Sequence, residues 1–368
     1  MPKLDLIGVS KYYENITALD KVTLHVEDKE YVCIVGPSGC GKSTLIKCIA
    51  GIIQPDSGEI LVDGESVERV AIEDRKIGYV FQDIALFPHL TVRDNVSYGL
   101  AVRAVAPRRT TAVTNEMLDL IGMRDRSKSF PSELSGGAQQ KVAVGRAIAT
   151  GSQLFLLDEP LGALDALVRA ELRYELRRFA SDLGLTIIHV THDQEEALSI
   201  ADRVVIMKRG GVVEVGKPSD IYLSPKSLFT ENFVGETNLL EGTVTETNGA
   251  SCVVNINTRK VRALGSGKQV GQKIVVSIRP EFVPLAPISN RSSNGWKGLV
   301  KQATFLGSIN RYVVEVEKGI DLVAHVPTSA DTEGFRVGDS VDVLLDQEEH
   351  MLLFDYPTEG LEKEIALE

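Results

Sequence analysis

The sequence has few cysteines, no long apolar run and no excess of positive charge, and each of these absences excludes a class of protein. Four of its 368 residues are cysteines and none belongs to a Cys-x-x-Cys pair, so a disulfide framework is not expected. No run approaches the roughly 18 apolar residues of a membrane helix, and no charged-then-apolar leader opens the chain. The formal net charge of −11 provides no basic field for nucleic acid. We therefore expect reduced thiols in the cytosol, no nucleic-acid partner, and at most a peripheral role at a membrane.

The chain is long enough for two domains, because a single hydrophobic core rarely grows beyond roughly 250 to 300 residues. In residues 1–235, short apolar runs alternate with helical stretches, and runs that are apolar throughout are typical of strands covered on both faces. This half is therefore predicted to be an α/β domain with a parallel sheet. The predicted strands are 31–35, 76–81, 154–158, 186–190 and 203–208. The predicted helices are 42–50, 110–121, 138–149, 166–183 and 194–201.

In residues 236–368 the pattern changes to short strands separated by glycine and proline. The stretch 311–317 alternates so that its apolar residues fall on one face, and the stretch 340–345 does the same. Such strands at short spacing predict a small all-β barrel or sandwich as the second domain.

A glycine-rich segment matches G-x-x-x-x-G-K-[ST] and lies between a predicted strand and a predicted helix. Its glycines let successive backbone N–H groups and the positive end of the helix face one anionic group. Lys42 would then reach the β- and γ-phosphates, and Ser43 would be a ligand of Mg²⁺. We therefore predict that the chain binds a nucleoside triphosphate. The residues that would hold it are Gly36, Ser38, Gly39, Cys40, Gly41, Lys42, Ser43 and Thr44.

Cys40 lies inside this segment, next to the start of the predicted helix. The positive end of a helix lowers the pKa of a thiol, so an exposed Cys40 would be a reactive thiolate. If Cys40 is exposed in the empty protein, we expect a bulky thiol reagent to block nucleotide entry there.

Two carboxylates end the apolar run of the predicted strand 154–158. An open α/β sheet binds ligands beyond the carboxyl ends of its strands, so Asp158 is expected beside the glycine-rich segment, where it would hold Mg²⁺. Glu159 is the candidate general base that orients or deprotonates an attacking water. The alternative is an acidic pair that is merely solvated at a strand end.

The segment Leu134-Ser135-Gly136-Gly137 lies just upstream of that strand. With it, the first half of the sequence resembles the nucleotide-binding subunit of an ABC transporter, whose signature motif is LSGG. The resemblance implies an ABC cassette of the P-loop NTPase fold, with a helical subdomain at about 83–150. It also implies a dimer in which Ser135 and the backbone at Gly137 contact the nucleotide held by the other subunit.

The same resemblance gives roles to further residues. Tyr13, or Tyr12 as the alternative, looks like the aromatic residue that stacks on adenine. Gln82 looks like the glutamine that senses Mg²⁺ and the transmembrane partner. Asp165 resembles part of the loop that crosses the dimer interface, and His192 resembles the switch histidine at the γ-phosphate. Taken alone, Tyr13 could be a surface aromatic on an edge strand, and His192 a strand-end histidine in a polar network.

Two positions depart from the pattern of that family. Ala138 stands where the family usually has glutamine, and Lys141 stands where it has arginine. A hydrogen bond from the glutamine and a bidentate contact from the arginine are therefore in doubt. We expect hydrolysis to survive at a reduced rate.

Two further segments have two interpretations each. The loop 86–92 is either a buried loop of the helical subdomain or part of a cleft that receives a helix from the membrane subunit. Residues 235–238 and 278–281 resemble the OB-type regulatory domain of importer ATPases for sugars, polyamines, iron and oxyanions. The alternative for this domain is a stabilising or dimerising role without a small ligand.

Together these features predict an ATP-hydrolysing subunit, with ATP and Mg²⁺, that energises solute import through an ABC transporter. It is expected to act as a homodimer on the cytoplasmic face of the membrane, bound to permease subunits and served indirectly by an extracytoplasmic solute-binding protein. The alternative is a soluble ABC ATPase acting on nucleic acids or ribosomes. One phosphate-binding segment, no cysteine cluster and no sustained heptads speak against it. The sequence does not name the solute.

Overall fold

The computed structural model describes residues 4–162, 164–265, 267–288, 295–329, 334–345 and 348–367, and the chain divides into two compact units. The first unit runs to Ile221, and the second runs from Tyr222 to Ala366. The sequence suggested a division at residue 235. The division in the structure falls earlier, because the helix that precedes residue 235 packs in the second unit. Leu228 of this helix shares an apolar cluster with Phe354.

The first unit combines strands and helices in alternation. Its strands are β1 (Leu4–Tyr13), β2 (Ile16–Val26), β3 (Tyr31–Val35), β4 (Ser57–Val62), β5 (Glu65–Ser66), β6 (Ile77–Val80), β7 (Leu154–Asp158), β8 (Thr186–Val190), β9 (Arg203–Lys208) and β10 (Gly211–Gly216). Its helices are α1 (Lys42–Ala50), α2 (Val92–Val102), α3 (Pro107–Leu120), α4 (Gly136–Ala149), α5 (Ala166–Leu183) and α6 (Gln194–Ile200), and α7 follows at Pro218–Leu223.

The central sheet of this unit has six strands in the order β10-β9-β3-β8-β7-β6. All neighbours are parallel except the edge strand β10, which pairs antiparallel with β9. A second, antiparallel sheet has the order β2-β1-β4-β5. One apolar core joins both sheets to α1, with Leu6, Ile34 and Leu45 among its buried members. The predicted α/β class with a parallel sheet is confirmed.

Helices α2, α3 and α4 pack on one another between β6 and β7 of the chain. Helix α2 is absent from the predicted helices, because Asn95 and Ser97 in it are weak helix formers. Tertiary contacts overcome this preference. The buried amide of Asn95 donates to the carbonyls of Phe87 and Leu90, and its oxygen accepts from the Phe87 N–H. The loop 86–92 is therefore held against α2 by a side chain that the sequence does not distinguish.

The second unit is built almost entirely from strands. They are β11 (Asn238–Thr247), β12 (Ser251–Ile256), β13 (Arg259–Leu264), β14 (Lys273–Ile278), β15 (Leu285–Pro287), β16 (Trp296–Phe305), β17 (Ile309–Glu317), β18 (Ile320–Pro327), β19 (Ser340–Val343) and β20 (Leu352–Asp355). Its short helices are α8 (Leu228–Val234) and α9 (Leu361–Ile365).

These strands form two five-stranded antiparallel sheets, β13-β12-β11-β14-β20 and β15-β19-β16-β17-β18. Both sheets contribute to one core, for example through Val254 and Val314. The predicted alternation along 311–317 is confirmed, but Asp342, expected on the outer face of its strand, is buried. The unit is the small all-β, OB-like domain that the sequence predicts. None of the helices in the described part of the chain is long and apolar enough to cross a membrane.

Candidate nucleotide-binding site

The glycine-rich segment connects β3 to α1, and its conformation requires glycine at two positions. Gly41 has a φ of 104° and directly precedes α1. A Cβ atom there would lie 2.2 Å from the carbonyl oxygen of Ala18, and one at Gly36 would lie 2.3 Å from that of Met207. Because those neighbours are backbone atoms, a larger residue would force the segment to shift. The loop is therefore held close to two neighbouring strands.

Lys42 is the buried positive charge of this segment, with 5% of its surface exposed. Its ammonium group donates to the carbonyl oxygens of Gly36 at 2.7 Å and Pro37 at 2.9 Å. An ammonium group has three donors and needs a compensating charge when buried. Among the described residues, no carboxylate forms an ion pair with Lys42. The site therefore suits an anionic ligand such as a phosphate.

An open pocket of about 230 Å³ lies over the start of α1. It is lined by Ile16, Ala18, Ser38, Gly39, Gly41, Lys42, Ser43, Thr44 and Glu159. The sequence does not predict Ile16 and Ala18 of β2 as site residues, because they belong to no motif. Ile16 is an apolar residue that the fold leaves exposed. Tyr13 does not line this pocket; Lys11 Nζ lies 5.5 Å from the centroid of its ring. Its contact with adenine stays a prediction.

Asp158 at the end of β7 is brought next to Ser43, as the sequence predicts. Its carboxylate is 4% exposed and accepts a hydrogen bond from Ser43 Oγ at 3.1 Å. Its other oxygen accepts from the hydroxyl of Tyr79 at 3.0 Å. Burial, followed by the charge of Asp158, raises the pKa of Tyr79, so this hydroxyl remains a donor. Hard oxygen ligands of this kind fit Mg²⁺.

Two residues predicted from separate segments, Gln82 and His192, converge on the carboxylate of Glu159. Gln82 Nε2 donates to Glu159 Oε2 at 3.2 Å, and His192 Nδ1 lies 3.1 Å from the same oxygen. Glu159 has a φ of 46°, which is unusual for a residue with a side chain. Its backbone N–H donates to Val190 O at 2.9 Å, which ties this conformation to β8. A carboxylate at the edge of the pocket, held by an amide and an imidazole, can accept a proton from water.

Ser135 and Asp165 lie outside the pocket and act within the chain as helix caps. Ser135 Oγ accepts from the Ala138 N–H at 3.4 Å, and Asp165 Oδ1 accepts from the Val168 N–H at 3.1 Å. Both residues are exposed. A Cβ atom at Gly137 would lie 2.5 Å from Val168 Cγ1, so this glycine permits the close packing of α4 on α5.

The two departures from the family pattern have local consequences. The side chain of Ala138 has no hydrogen-bond donor or acceptor, and its backbone N–H already donates to Ser135 Oγ. Lys141 Nζ lies 2.9 Å from Glu175 and 3.5 Å from Glu171, both on α5. Lysine thus makes single contacts to carboxylates here, where an arginine offers a planar bidentate pair.

The prediction that the helix N-terminus lowers the pKa of Cys40 is wrong, and the exposure on which its reaction with a thiol reagent depends is not found. The residue is buried, and burial raises the pKa of its thiol. Lys42 Nζ, 3.9 Å from the sulfur, acts in the opposite direction but does not outweigh the loss of hydration. The thiol is therefore protonated and shielded.

Similarity to known proteins agrees with this geometry. The ABC transporter family matches residues 19–162, and the TOBE domain family matches residues 276–354. The chain is 38% identical over 347 residues to the spermidine/putrescine import ATP-binding protein PotA of Pseudomonas aeruginosa (strain UCBPP-PA14), covering 93% of this chain and 96% of that protein. The chain belongs to the family of ABC transporter ATP-binding proteins. It is the ATP-hydrolysing subunit of an ABC importer, and its second unit contains a TOBE domain.

Other members of the family support the same assignment. The PotA protein of Nitrosomonas eutropha is 37% identical over 363 residues, covering 97% of this chain and all of that protein. Among solved structures, the dimeric cassette MJ0796 has a TM-score of 0.53 and 32% identity, covering 58% of this chain and 98% of that one. The post-hydrolysis state of the same cassette, with ADP and Pi, has a TM-score of 0.53 and 31% identity. These import proteins give no support to a soluble ATPase that acts on nucleic acids or ribosomes.

Proposed function

We propose that this ABC ATPase hydrolyses Mg·ATP in the pocket beside Glu159 and thereby energises import of a polyamine of the spermidine and putrescine class. The convergence of Lys42, Asp158 and Glu159 at the carboxyl end of the sheet carries the assignment of the hydrolytic site. Similarity over nearly the whole chain to proteins named for spermidine/putrescine import supports the substrate class.

Each residue of the site has a role that its contacts support. Lys42 binds the β- and γ-phosphates, because its buried charge has no carboxylate partner among the described residues. Ser43 and Asp158 would hold Mg²⁺, with Gln82 as a further predicted ligand. When bound, the ion neutralises charge on the phosphates. Glu159 takes the proton of the attacking water.

His192 holds Glu159 and is proposed to respond to the γ-phosphate. A hydrogen bond from Nδ1 to the carboxylate requires the proton on Nδ1. Donation from Nε2 to the γ-phosphate at the same time requires the imidazolium form.

A second copy of the chain is proposed to complete the site. Ser135 and Asp165 are exposed and lie outside the pocket of their own chain, as residues that serve a partner would. A related cassette has been solved as a dimer. Gly137 would contribute its backbone, and ATP between the two copies would close the dimer, which hydrolysis would release.

The membrane partners are proposed from the importer family. We place the dimer at the cytoplasmic face, bound peripherally to permease subunits, with a solute-binding protein acting on the other side. The loop 86–92, held to α2 by Asn95, is the proposed contact with the permease. A loop that is already ordered loses less freedom when it binds a partner, so the hydrogen bonds of Asn95 suit this loop to docking.

The test is uptake of labelled spermidine and putrescine in cells that lack this chain but keep its permease. The unaltered chain should restore uptake, and Glu159→Gln should not. The exposed Glu65 of β5 provides the matched control, and Glu65→Gln should restore uptake fully. Restored uptake of a sugar, iron or an oxyanion, with polyamine uptake unchanged, would contradict the substrate class and leave the ATPase site intact.

A further inference from the structure

The side chain of Tyr79 contacts the carboxylate of Asp158, the proposed ligand of Mg²⁺. No motif of this sequence gives Tyr79 a role. Tyr79 lies on β6, the edge strand opposite β10 in the central sheet. Ile77 and Tyr79 pack on the core that includes α1, whereas a Cβ atom at Gly78, facing the other side, would lie 2.4 Å from Phe155. The alternation of the strand therefore turns Tyr79 towards the nucleotide-binding segment.

The register of two parallel strands brings this tyrosine within reach of the metal site. Tyr79 of β6 lies opposite Leu156 of β7. Leu156 and Asp158 share one face of β7, because side chains alternate along a strand. The length of a tyrosine spans the distance to the residue two places further on, and the hydroxyl reaches Asp158 Oδ2 at 3.0 Å.

We propose that Tyr79 is a positioning residue for Mg²⁺, holding the carboxylate of Asp158 in the orientation that binds the ion with ATP. The inference rests on the proposed Mg·ATP site. Ser43 Oγ fixes one carboxylate oxygen and the Tyr79 hydroxyl fixes the other, so the group cannot turn without losing one of the two bonds. Both bonds are to a charged acceptor, which makes them stronger than neutral ones.

This orientation matters because a carboxylate that is already fixed loses less freedom when it binds a cation. Residues that hydrogen-bond a metal ligand typically change metal affinity about 10- to 100-fold when they are replaced. Phenylalanine at this position keeps the ring and its contact with Phe81, whose centroid lies 4.4 Å away. Tyr79→Phe therefore removes the hydroxyl and retains the packing.

The experiment measures equilibrium binding of the β,γ-imido analogue of ATP to the purified full-length chain. Binding is measured by calorimetry with EDTA and again over a titration of Mg²⁺. Tyr31→Phe is the matched control, because the hydroxyl of Tyr31 is also buried in the central sheet but contacts His189 Nδ1 at 2.9 Å. A third variant, Asp158→Asn, removes the proposed ligand itself.

We expect Tyr79→Phe to leave affinity in EDTA unchanged and to reduce the gain in affinity from Mg²⁺ by about 10-fold or more. Tyr31→Phe should retain the full gain. In the Asp158→Asn background, adding Tyr79→Phe should change nothing further, because the two residues act through one carboxylate.

Three results would overturn the inference. An unchanged gain from Mg²⁺ in Tyr79→Phe would remove the tyrosine from the metal site. An equal loss of affinity with and without the ion, together with a lower melting temperature, would assign Tyr79 a packing role only. If Mg²⁺ did not raise the nucleotide affinity of the unaltered chain, the proposed metal site would be wrong, and the role of Tyr79 with it. That result differs from the first two, in which only the variant decides.

Discussion

Replacing Arg279 by methionine should strongly destabilise the second unit. Arg279 and Glu231 form an ion pair at 2.9 Å, with side chains only 4% and 1% exposed. Glu231 also accepts hydrogen bonds from Ser277 Oγ at 2.6 Å and Thr237 Oγ1 at 2.8 Å. Methionine replaces much of the volume of arginine, but the carboxylate then stays buried opposite an apolar side chain. The expected cost is therefore mainly electrostatic.

The magnitude follows from the burial of both partners. Removing one member of a buried ion pair costs about 3–5 kcal/mol, because the other charge is left uncompensated. For a domain of this size, 1 kcal/mol lowers the melting temperature by roughly 2–4 °C. We therefore expect the melting temperature of the second unit to fall by roughly 6–20 °C. Adding Glu231→Gln to Arg279→Met should recover part of this loss, since a neutral amide is cheaper to bury.

The chain contains one tryptophan, which makes the measurement specific to this unit. Trp296 is buried in the core shared by both of its sheets. Thermal unfolding followed by tryptophan fluorescence thus reports on the second unit in the intact protein. The control is Arg311→Met, because Arg311 pairs with Glu236 at side-chain exposures of 28% and 40%. Loss of such an exposed pair should cost no more than about 1 kcal/mol.

The reasoning would be refuted if Arg279→Met lowered the melting temperature no more than Arg311→Met does. A double variant with Glu231→Gln that is no more stable than Arg279→Met alone would also count against it, since the cost would then come from packing and not from the buried charge.

The remaining predictions concern the hydrolytic site and the acid side of stability. Lys42→Ala should abolish hydrolysis and weaken ATP binding, because it removes the buried charge facing the phosphates, and wild-type turnover in a folded variant would contradict the site. Glu159→Gln should retain ATP binding but lower hydrolysis by about 10² to 10⁴. Light scattering after size-exclusion chromatography should then detect an ATP-dependent dimer of Glu159→Gln. The control Glu65→Gln should hydrolyse ATP at the normal rate and should therefore not accumulate this dimer. Burial raises the pKa of Asp202, but hydrogen bonds from Arg177 and a backbone N–H outweigh it, so the pKa is lowered. Its stabilising contribution is therefore present above the unfolded value of about 3.9 and lost as pH falls through the lower folded value. Asp202→Asn should flatten that loss in calorimetry, and an unchanged acid limb would show that another group is responsible.

The sequence by itself determined the elements whose signal lies within one segment. β7 and β8 have the predicted bounds, because short, mostly apolar runs are typical of strands covered on both faces. Helix α1 also begins and ends as predicted, since a glycine before Lys42 and another after Ala50 limit it. Where the ends lack such signals the bounds shift, and α3 begins at Pro107, before the predicted residue 110.

Only the tertiary structure decided which residues meet and which are buried. The proximity of Ser43 and Asp158 was expected from strand order and from the glycine-rich segment. The contact of Gln82 with Glu159 was not predicted, and the hydroxyl of Tyr79 on Asp158 depends on the register of β6 on β7. That register is set by contacts between segments far apart in sequence, which no local pattern contains.

Burial explains the other differences in the same way. Cys40 lies at a helix N-terminus, which alone favours a thiolate, yet packing around it removes the water that a thiolate needs. Leu228 lies within residues 1–235, the range predicted for the first domain, yet it packs against Phe354, more than a hundred positions later in the sequence. Local residue types determine helices, strands and loops. The exposure of a side chain and the groups that it contacts depend on the packing of distant segments, and this exposure and these contacts decide the chemistry of the site.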